Sequence, residues 1–187
     1  YVSGDFTDVL RLRYGDVEER LLAAYPYLAE VSVRVSFPYK VNIDVVERVE
    51  VAYLKTAADY VAVDSQGTIL ERLPLDVTLE TPVIRGLAAD ELIPGERISE
   101  ESKRAVDRTL LAINAILRAD RDAADEFSLM DQISSFYPYS ANALYITMND
   151  KQGTPLQVKL NPAQNAETKV LWLRNALEQG ALEELGK

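Results

Sequence analysis

The sequence predicts an α+β fold, in which strand pairs and amphipathic helices follow one another along the chain. Three observations carry this prediction. Apolar and polar residues alternate between positions 31 and 45, they alternate again between 144 and 160, and apolar residues recur at helical spacing over 99–118. With 48% hydrophobic residues among 187, the chain can bury a core of its own.

The first third predicts a helix followed by a β-hairpin. Asp16-Val17-Glu18-Glu19 has the form of a capping box, and Pro26 ends the helical run. A Pro-containing turn around Pro38 then separates two alternating strands. The apolar positions of these strands are Val31, Val33, Val35, Phe37, Val41, Ile43 and Val45. We expect helix residues Leu21 and Leu22 to cover this apolar face.

The middle third predicts a second hairpin and a long helix. Asp64-Ser65-Gln66-Gly67 is typical of a type I turn between two β-rich runs. The chain from Leu73 to Pro94 is predicted to be irregular. A helix from about Ser99 to Arg118 is expected to bury a stripe formed by Val106, Leu110, Ile113 and Leu117. Its tail, Asp120 to Asp122, is expected to be a solvated helix end.

The last third predicts two strands and a helix. The strands alternate around Leu144–Met148 and Leu156–Leu160, with a turn that contains Gly153 between them. A helical stripe from Ala166 to Leu177 follows, and Gly180 lies where a C-terminal cap belongs. No internal repeat is evident.

Composition makes an enzyme the minority interpretation. The chain has no His and no Cys, so Ser-His-Asp and Cys-His catalysis and Cys-ligated zinc are excluded, and no catalytic residue, cofactor or metal site is predicted. A hydrolase that uses two carboxylates is the least favoured interpretation of the chain. The net charge of −10 argues against nucleic acid and anionic lipid as partners, and solubility is its simplest explanation.

Residues 26–86 carry a resemblance to a known family. The stretch contains a helix end at Pro26, the hairpin hinged on Pro38, and a Glu47-Arg48 pair where the chain leaves that hairpin. The Asp64–Gly67 hairpin and a Pro-Val-Ile-Arg-Gly segment that ends at Gly86 follow. In this order and spacing the motifs are similar to those of the FtsQ/DivIB family of bacterial cell-division proteins. Beyond Gly86 the likeness is one of layout alone.

The resemblance implies two domains. Residues 1–50 would form a small POTRA-type domain, with helices on a short three-stranded sheet, and residues 51–187 would form a larger mixed β domain with two flanking helices. The segment from Gly4 to Gly15 is shorter than the family's usual first strand and first helix, so either the first strand is truncated or the POTRA-type domain is abbreviated. The strand that the family adds after its final helix, and that pairs with the partner FtsB, has no counterpart before Lys187.

The family role implied is that of a non-catalytic scaffold. Its members bind the bitopic division proteins FtsB/DivIC and FtsL and help to recruit and regulate the septal peptidoglycan synthase. They lie on the extracytoplasmic side of the cell membrane at the septum, anchored by one helix upstream. Because POTRA modules also precede membrane β-barrels, a secretion or outer-membrane assembly factor that binds clients by strand addition is the alternative.

Two sets of residues are singled out. The candidate partner-binding residues are Ser32, Arg34, Ser36, Tyr137, Tyr139, Tyr145, Thr147, Leu171 and Trp172. The residues of the structural motif are Pro38, Glu47, Arg48, Asp64, Gly67 and Gly86.

Several interpretations stay open for these residues. Glu47 and Arg48 could form an interdomain ion pair or contact a partner, and the tyrosines could pack or bind. Residues 181–187 could cover Leu171 and Trp172, which otherwise face a missing strand or a partner. For partner binding we expect free strand edges at Val31–Phe37 and near Leu144–Met148 or Leu156–Leu160.

Overall fold

The computed structural model describes residues 15–36, 40–87, 92–98, 100–123, 125–161 and 165–181. Its helices are α1 (Gly15–Ala24), α2 (Glu100–Asp122) and α3 (Ala166–Glu178), with a 3₁₀ turn at Met130–Gln132. Its strands are β1 (Leu28–Ser36), β2 (Lys40–Glu47), β3 (Glu50–Lys55), β4 (Tyr60–Asp64), β5 (Ile69–Leu73), β6 (Val83–Ile84), β7 (Ile133–Ser140), β8 (Ala143–Asn149) and β9 (Pro155–Leu160). The predicted α+β fold class is confirmed.

Strands β1 and β2 form a separate antiparallel hairpin, with Val33 opposite Ile43. Helix α1 packs on β1, and Val33 is 2% exposed. Ile43, although on the same face, is 57% exposed, and its neighbours Val41 and Val45 are exposed too. The expectation that Leu21 and Leu22 cover the whole apolar face is therefore wrong for β2, because α1 lies over β1.

The other seven strands form one mixed sheet in the order β5-β4-β3-β6-β7-β8-β9. Two antiparallel meanders, β3–β5 and β7–β9, are joined through β6, which runs parallel to both β3 and β7. The hairpins predicted at Asp64–Gly67 and around Gly153 are both present. Strand β6, however, lies in the stretch predicted to be irregular, and strand β7 was not predicted.

Helices α2 and α3 pack side by side on one face of this sheet, and the main hydrophobic core lies between the helices and the strands. Phe136, Ile146 and Ile113 are fully buried there. The predicted stripe of α2 is correct except for Leu117, whose place in the core is taken by Ile116. None of the helices in the described ranges is long and apolar enough to cross a membrane.

The opposite face of the sheet has a smaller core on its β3–β5 half. Tyr53, Ala62 and Leu70 are buried there beneath Tyr27 and Leu79. The β7–β8 half of the same face carries Tyr137 and Tyr139, which are exposed. This asymmetry makes the second half of the helix-free face the more accessible one.

Candidate functional site

The residues predicted to bind partners lie in three separate places. Ser32, Arg34 and Ser36 are on β1, the tyrosines and Thr147 are on β7 and β8, and Leu171 and Trp172 are on α3. The structure thus brings together residues of different elements only in the second group, where β7 and β8 are neighbours.

The β1 edge is less open than expected. The backbone N–H of Val33 points away from β2 and donates to the Glu18 carboxylate at 2.7 Å, so helix α1 blocks this edge at its centre. Arg34 is paired with Asp44 across the hairpin. Ser36 accepts a hydrogen bond from the Asn42 amide at 3.2 Å. The expectation of unpaired outward amides along this strand is wrong at Val33.

Tyr137, Tyr139 and Tyr145 form a cluster that we call the tyrosine surface. Tyr137 lies opposite Tyr145 in the β7–β8 register, and the Tyr139 ring packs against both, at centroid distances of 6.2 and 5.9 Å. Tyr137 and Tyr139 are exposed, whereas Tyr145 and the neighbouring Thr147 are half-buried. Three aromatic rings held together at a surface are typical of a protein contact, because they offer a large area at little entropic cost.

Gly86 forms the floor beneath Tyr137. Its backbone has φ of +77°, and a Cβ placed there would lie 2.7 Å from Cδ2 of the Tyr137 ring. Such a distance is far inside van der Waals contact, so glycine is required both by the conformation and by the ring above it. The motif residue Gly86 therefore supports the tyrosine surface directly.

Among the described residues, strand β9 is the outer edge of this half of the sheet. The Thr147 carbonyl accepts a hydrogen bond from Ser134 on the β7 side at 3.1 Å, so Thr147 turns its backbone groups away from β9. Its register partner Gln157 then directs its own N–H and C=O outward, as does Lys159 two residues on. The prediction of an edge at Leu156–Leu160 is thus correct. The alternative at Leu144–Met148 is wrong, because β8 is paired on both sides.

Trp172 stands on α3 next to this edge and is 66% exposed. Lys169, one helical turn earlier on the same side, donates to the backbone carbonyl of Asn161, which directly follows β9. Leu156 and Val158 on β9 are only partly buried at the margin of the main core. Trp172 is thus an exposed aromatic side chain one helical turn from Lys169, which contacts the residue after β9.

Leu171 points to the other side of α3, into a groove against α2 that is floored by Ala115 and Ala119. It is half-exposed there and is not part of the β9 edge. Of residues 181–187, proposed as a cover for Leu171 and Trp172, all but Ala181 lie outside the described residues. The motif residue Pro38 and the expected first strand also lie outside them.

The remaining motif residues join the hairpin to the large sheet. The Arg48 guanidinium donates to Asp64 at 2.7 Å and to the Leu28 carbonyl at 3.3 Å, so it links β1 to the turn after β4. Asp64 shapes that turn by accepting two backbone N–H bonds at 2.8 Å, and Gly67 has a positive φ of 79°. Glu47, which was expected to act with Arg48, is exposed and lies outside this ion pair.

A half-buried tyrosine strengthens the same junction. Tyr27 donates its hydroxyl to Glu71 of β5 at 2.7 Å, and Tyr53 donates to Glu50 at 2.6 Å. Burial, together with the neighbouring carboxylate, raises the pKa of both phenols well above the usual range. The two hydroxyl groups therefore remain donors at any physiological pH.

A charged cluster that no local sequence pattern indicates lies around Arg174. This side chain is buried, and its guanidinium donates to Asp120, Asp125 and the Phe127 carbonyl. Asp120, which was expected to be solvated, also accepts the backbone N–H groups of Leu129 and Met130. The cluster pins the segment after α2 onto α3, and its partners are too far apart in sequence for any local pattern to reveal them.

A short internal repeat was also missed. Asp64-Ser65-Gln66-Gly67-Thr68 recurs as Asp150-Lys151-Gln152-Gly153-Thr154, and both segments form the same turn at the same end of the sheet. In each turn the aspartate accepts the N–H groups two and four residues later. These backbone hydrogen bonds, chiefly that from Thr154, lower the pKa of Asp150.

The described residues contain no group of three His, Cys, Asp or Glu side chains that could hold a metal ion. Their acidic side chains serve turns and ion pairs instead.

Residues 6–48 match the family model described as "POTRA domain, FtsQ-type". The chain carries an FtsQ-type POTRA domain. This match confirms the resemblance to the FtsQ/DivIB family, and the predicted order of a POTRA-type domain followed by a mixed β domain agrees with the two separate sheets. Hairpin β1–β2 and helix α1 belong to the FtsQ-type POTRA domain.

Two further comparisons concern curated proteins and solved structures. No curated protein matches the chain. Among solved structures, the major extracytoplasmic domain of the trans isomer of the cell division protein DivIB from Geobacillus stearothermophilus matches with 13% identity and a TM-score of 0.38. The match covers 67% of this chain and 95% of that one.

Proposed function

We propose that this chain is the extracytoplasmic part of a non-catalytic cell-division scaffold. The observation that carries the proposal is the FtsQ-type POTRA domain over residues 6–48. On this proposal the chain binds FtsB/DivIC-type and FtsL-type bitopic proteins, and through them it helps to recruit and regulate the septal peptidoglycan synthase. It works at the division septum, tethered to the cell membrane by a segment outside the chain.

The proposed binding mode is strand addition at β9. Gln157 and Lys159 present outward backbone groups, and an extended partner segment would pair with them. Its alternate apolar side chains would complete the core margin between Val158 and Trp172. Main-chain bonds supply affinity in this mode, and contacts with the partly buried Leu156 and Val158 and the exposed Trp172 supply specificity.

The tyrosine surface extends the same site onto the helix-free face. Tyr145 lies opposite Lys159 in the β8–β9 register. The aromatic ring of Tyr145 would therefore lie on this face two strands away from a strand added at β9. We propose that Tyr137, Tyr139, Tyr145 and Thr147 contact the part of the partner that leaves the added strand. The other outer edge is less suited, because Ile69 of β5 is already bonded to Gly95 and Glu96.

The experiment uses a matched pair of variants at one position. Gln157→Pro removes the outward N–H, which costs the fold no ladder bond, whereas Gln157→Ala keeps it. We expect a synthetic peptide from the FtsB/DivIC-type partner of the same organism to bind the proline variant at least tenfold more weakly than the alanine variant. Circular dichroism and thermal melting check that both variants stay folded.

A second pair of variants tests the contribution of Trp172. Trp172→Ala should weaken the peptide by a similar factor, and Leu171→Ala, which changes the neighbouring exposed residue on the groove side, should not. Equal binding by all four variants would exclude β9 as the site. The scaffold role itself is tested separately, by whether the full-length protein tagged with a fluorescent protein collects at the septum.

A further inference from the structure

Turns Asp64–Thr68 and Asp150–Thr154, which we call the first and the second turn, have the same backbone geometry. In both, the aspartate N–H donates to the threonine carbonyl, at 3.1 Å and 2.9 Å, and the glycine N–H donates to the aspartate carbonyl, at 3.1 Å and 3.0 Å. The glycine φ is 79° in the first turn and 83° in the second. The two turns therefore present the same backbone groups to their surroundings.

The chain itself supplies a segment, residues 95–98, that lies against the first turn. Ile98 donates its N–H to the Gly67 carbonyl at 3.2 Å, and Gly95 donates to the Ile69 carbonyl at 2.8 Å. The segment runs antiparallel to the residues that it borders. Two N–H groups three residues apart on the segment thus reach two carbonyls that are two residues apart on the chain. This step of three against two is that of a β-bulge, whereas a regular antiparallel pair advances by two on both strands.

The Ile98 side chain covers the first turn. It is 5% exposed, and its Cδ1 lies 3.9 Å from a Cβ placed on Gly67. Ile69, whose carbonyl also binds the segment, is 1% exposed. The first turn and the residue after it are therefore closed by an apolar residue of the same segment that they bind through their carbonyl groups.

The second turn offers the same groups but has no such segment among the described residues. The Gly153 carbonyl accepts no backbone hydrogen bond from them, and, chain neighbours apart, none of their atoms lies within 4 Å of a Cβ placed on Gly153. Because Asp150 bonds to Thr154 across the hairpin, the next residue, Pro155, directs its carbonyl to the outer side of β9. The Pro155 ring is exposed, unlike its buried counterpart Ile69. This end of β9 therefore presents two carbonyl acceptors and an apolar ring.

From this match we propose that the second turn binds an apolar residue of the partner segment that pairs with β9, an inference that rests on the proposed function. In the place of Ile98, an Ile, Val or Leu of the partner donates its N–H to the Gly153 carbonyl and covers Gly153 and Pro155 with its side chain. The N–H three residues earlier in the partner donates to the Pro155 carbonyl. Gly95 has a φ of +90°, so glycine or asparagine is favoured at that earlier position. The partner segment runs antiparallel to β9, with its C-terminal end at the second turn.

An N-methyl scan of the peptide tests this register. The probe is the synthetic FtsB/DivIC-type peptide named above, with each backbone N–H in turn replaced by N–CH3, and the target is residues 1–187. Methylation of the N–H groups that bond to Lys159, Gln157 and Pro155 should weaken binding at least tenfold, at steps of two residues along the peptide. The next sensitive N–H should come three residues later, on an apolar residue whose replacement by Ala weakens binding at least fivefold. The N–H groups in between point away from β9, and their methylation is the matched control.

The outcomes of the scan separate this inference from strand addition itself. Sensitive positions at steps of two throughout would overturn the second turn as a subsite and leave strand addition at β9 standing. A peptide that does not bind the parent chain at all would overturn both.

Disulfide trapping locates the apolar residue. The chain contains no Cys, so Gln152→Cys and Gln66→Cys provide single thiols at the same position of the two turns. A peptide Cys one residue after the apolar position should form a disulfide with Gln152→Cys and not with Gln66→Cys, because residues 95–98 already lie against the first turn. Trapping by a Cys at the N-terminal end of the peptide instead would mean a parallel segment and would overturn the proposal. So would a disulfide formed without peptide in the double variant Gln152→Cys/Leu185→Cys, which would show that the chain's own C-terminal residues cover the second turn.

Discussion

Arg48 and Asp64 form the ion pair that joins the POTRA hairpin to the large sheet, at 2.7 Å between Nη1 and Oδ2. The Asp64 side chain is almost fully buried, and its second oxygen is used by the turn. Arg48 therefore neutralises a carboxylate that cannot reach water. The link between the two sheets depends on charge compensation as well as on packing.

The first prediction follows from this arrangement and uses the repeated turn as its control. Asp64→Asn and Asp150→Asn change the same position of the same turn, but only Asp64 pairs with Arg48. We expect Asp64→Asn to lower the free energy of unfolding by about 1–3 kcal/mol more than Asp150→Asn. Denaturant unfolding measures both. In an Arg48→Ala background the difference should disappear, and its persistence there would show that Arg48 is not the cause.

The second prediction concerns the hairpin. Val33 and Ile43 lie opposite each other on one face, but only Val33 is buried. Val33→Ala should lower the free energy of unfolding by roughly 1–3 kcal/mol through lost burial and cavity formation. Ile43→Ala should change it by less than about 0.5 kcal/mol. Equal losses in the two variants would mean that β2 is covered as well as β1.

Local patterns predicted the elements whose signal is contained in one stretch of sequence. The alternation around Val33 and around Ile146 gave hairpins, and the Asp-x-x-Gly turn at Asp64 is formed as expected. Strand β7 was not predicted because Pro138 lies inside it, and a proline within a segment argues against a strand. Strand β6 has only two residues, Val83 and Ile84, which is too short for any periodicity.

The candidate site was predictable only in part. Trp172 was singled out because it lies beside the apolar stripe of its own helix, and the structure leaves it exposed. The Arg174 cluster could not be foreseen, because its carboxylate partners lie 49 and 54 residues away. The roles of Gly86 and Tyr137 became apparent only when the fold placed β7 next to β6.

The third prediction concerns acid stability. The hydrogen bond that Arg174 donates to Asp125 holds the pKa of this carboxyl group below its usual value. The stabilisation from this pair is therefore complete above the unfolded-state pKa of about 4 and is lost as the pH falls through the lower, folded-state value. Asp125→Asn should reduce stability at pH 7 and flatten its decline between about pH 4 and pH 2.

Urea unfolding at a series of pH values measures this decline. Asp122→Asn provides the control, because Asp122 is exposed and pairs only with its neighbour Arg121 among the described contacts. Its curve should follow that of the parent chain over the whole range. Parallel curves for Asp125→Asn and the parent would contradict the assignment.

The fourth prediction tests how Gly86 supports the tyrosine surface. Gly86→Ala and Gly153→Ala both place a Cβ on a residue with positive φ, which costs about 1–2 kcal/mol. Only at Gly86 does the new Cβ overlap a ring, that of Tyr137, since nothing lies within 4 Å of a Cβ at Gly153. Gly86→Ala should therefore be the more destabilising by about 1–3 kcal/mol. Tyr137→Ala removes the overlap, so in that background Gly86→Ala should cost no more stability than Gly153→Ala costs in the parent, as measured by thermal unfolding. An equal cost of Gly86→Ala in the parent and in the Tyr137→Ala background would show that the backbone, and not the Tyr137 ring, requires glycine at this position.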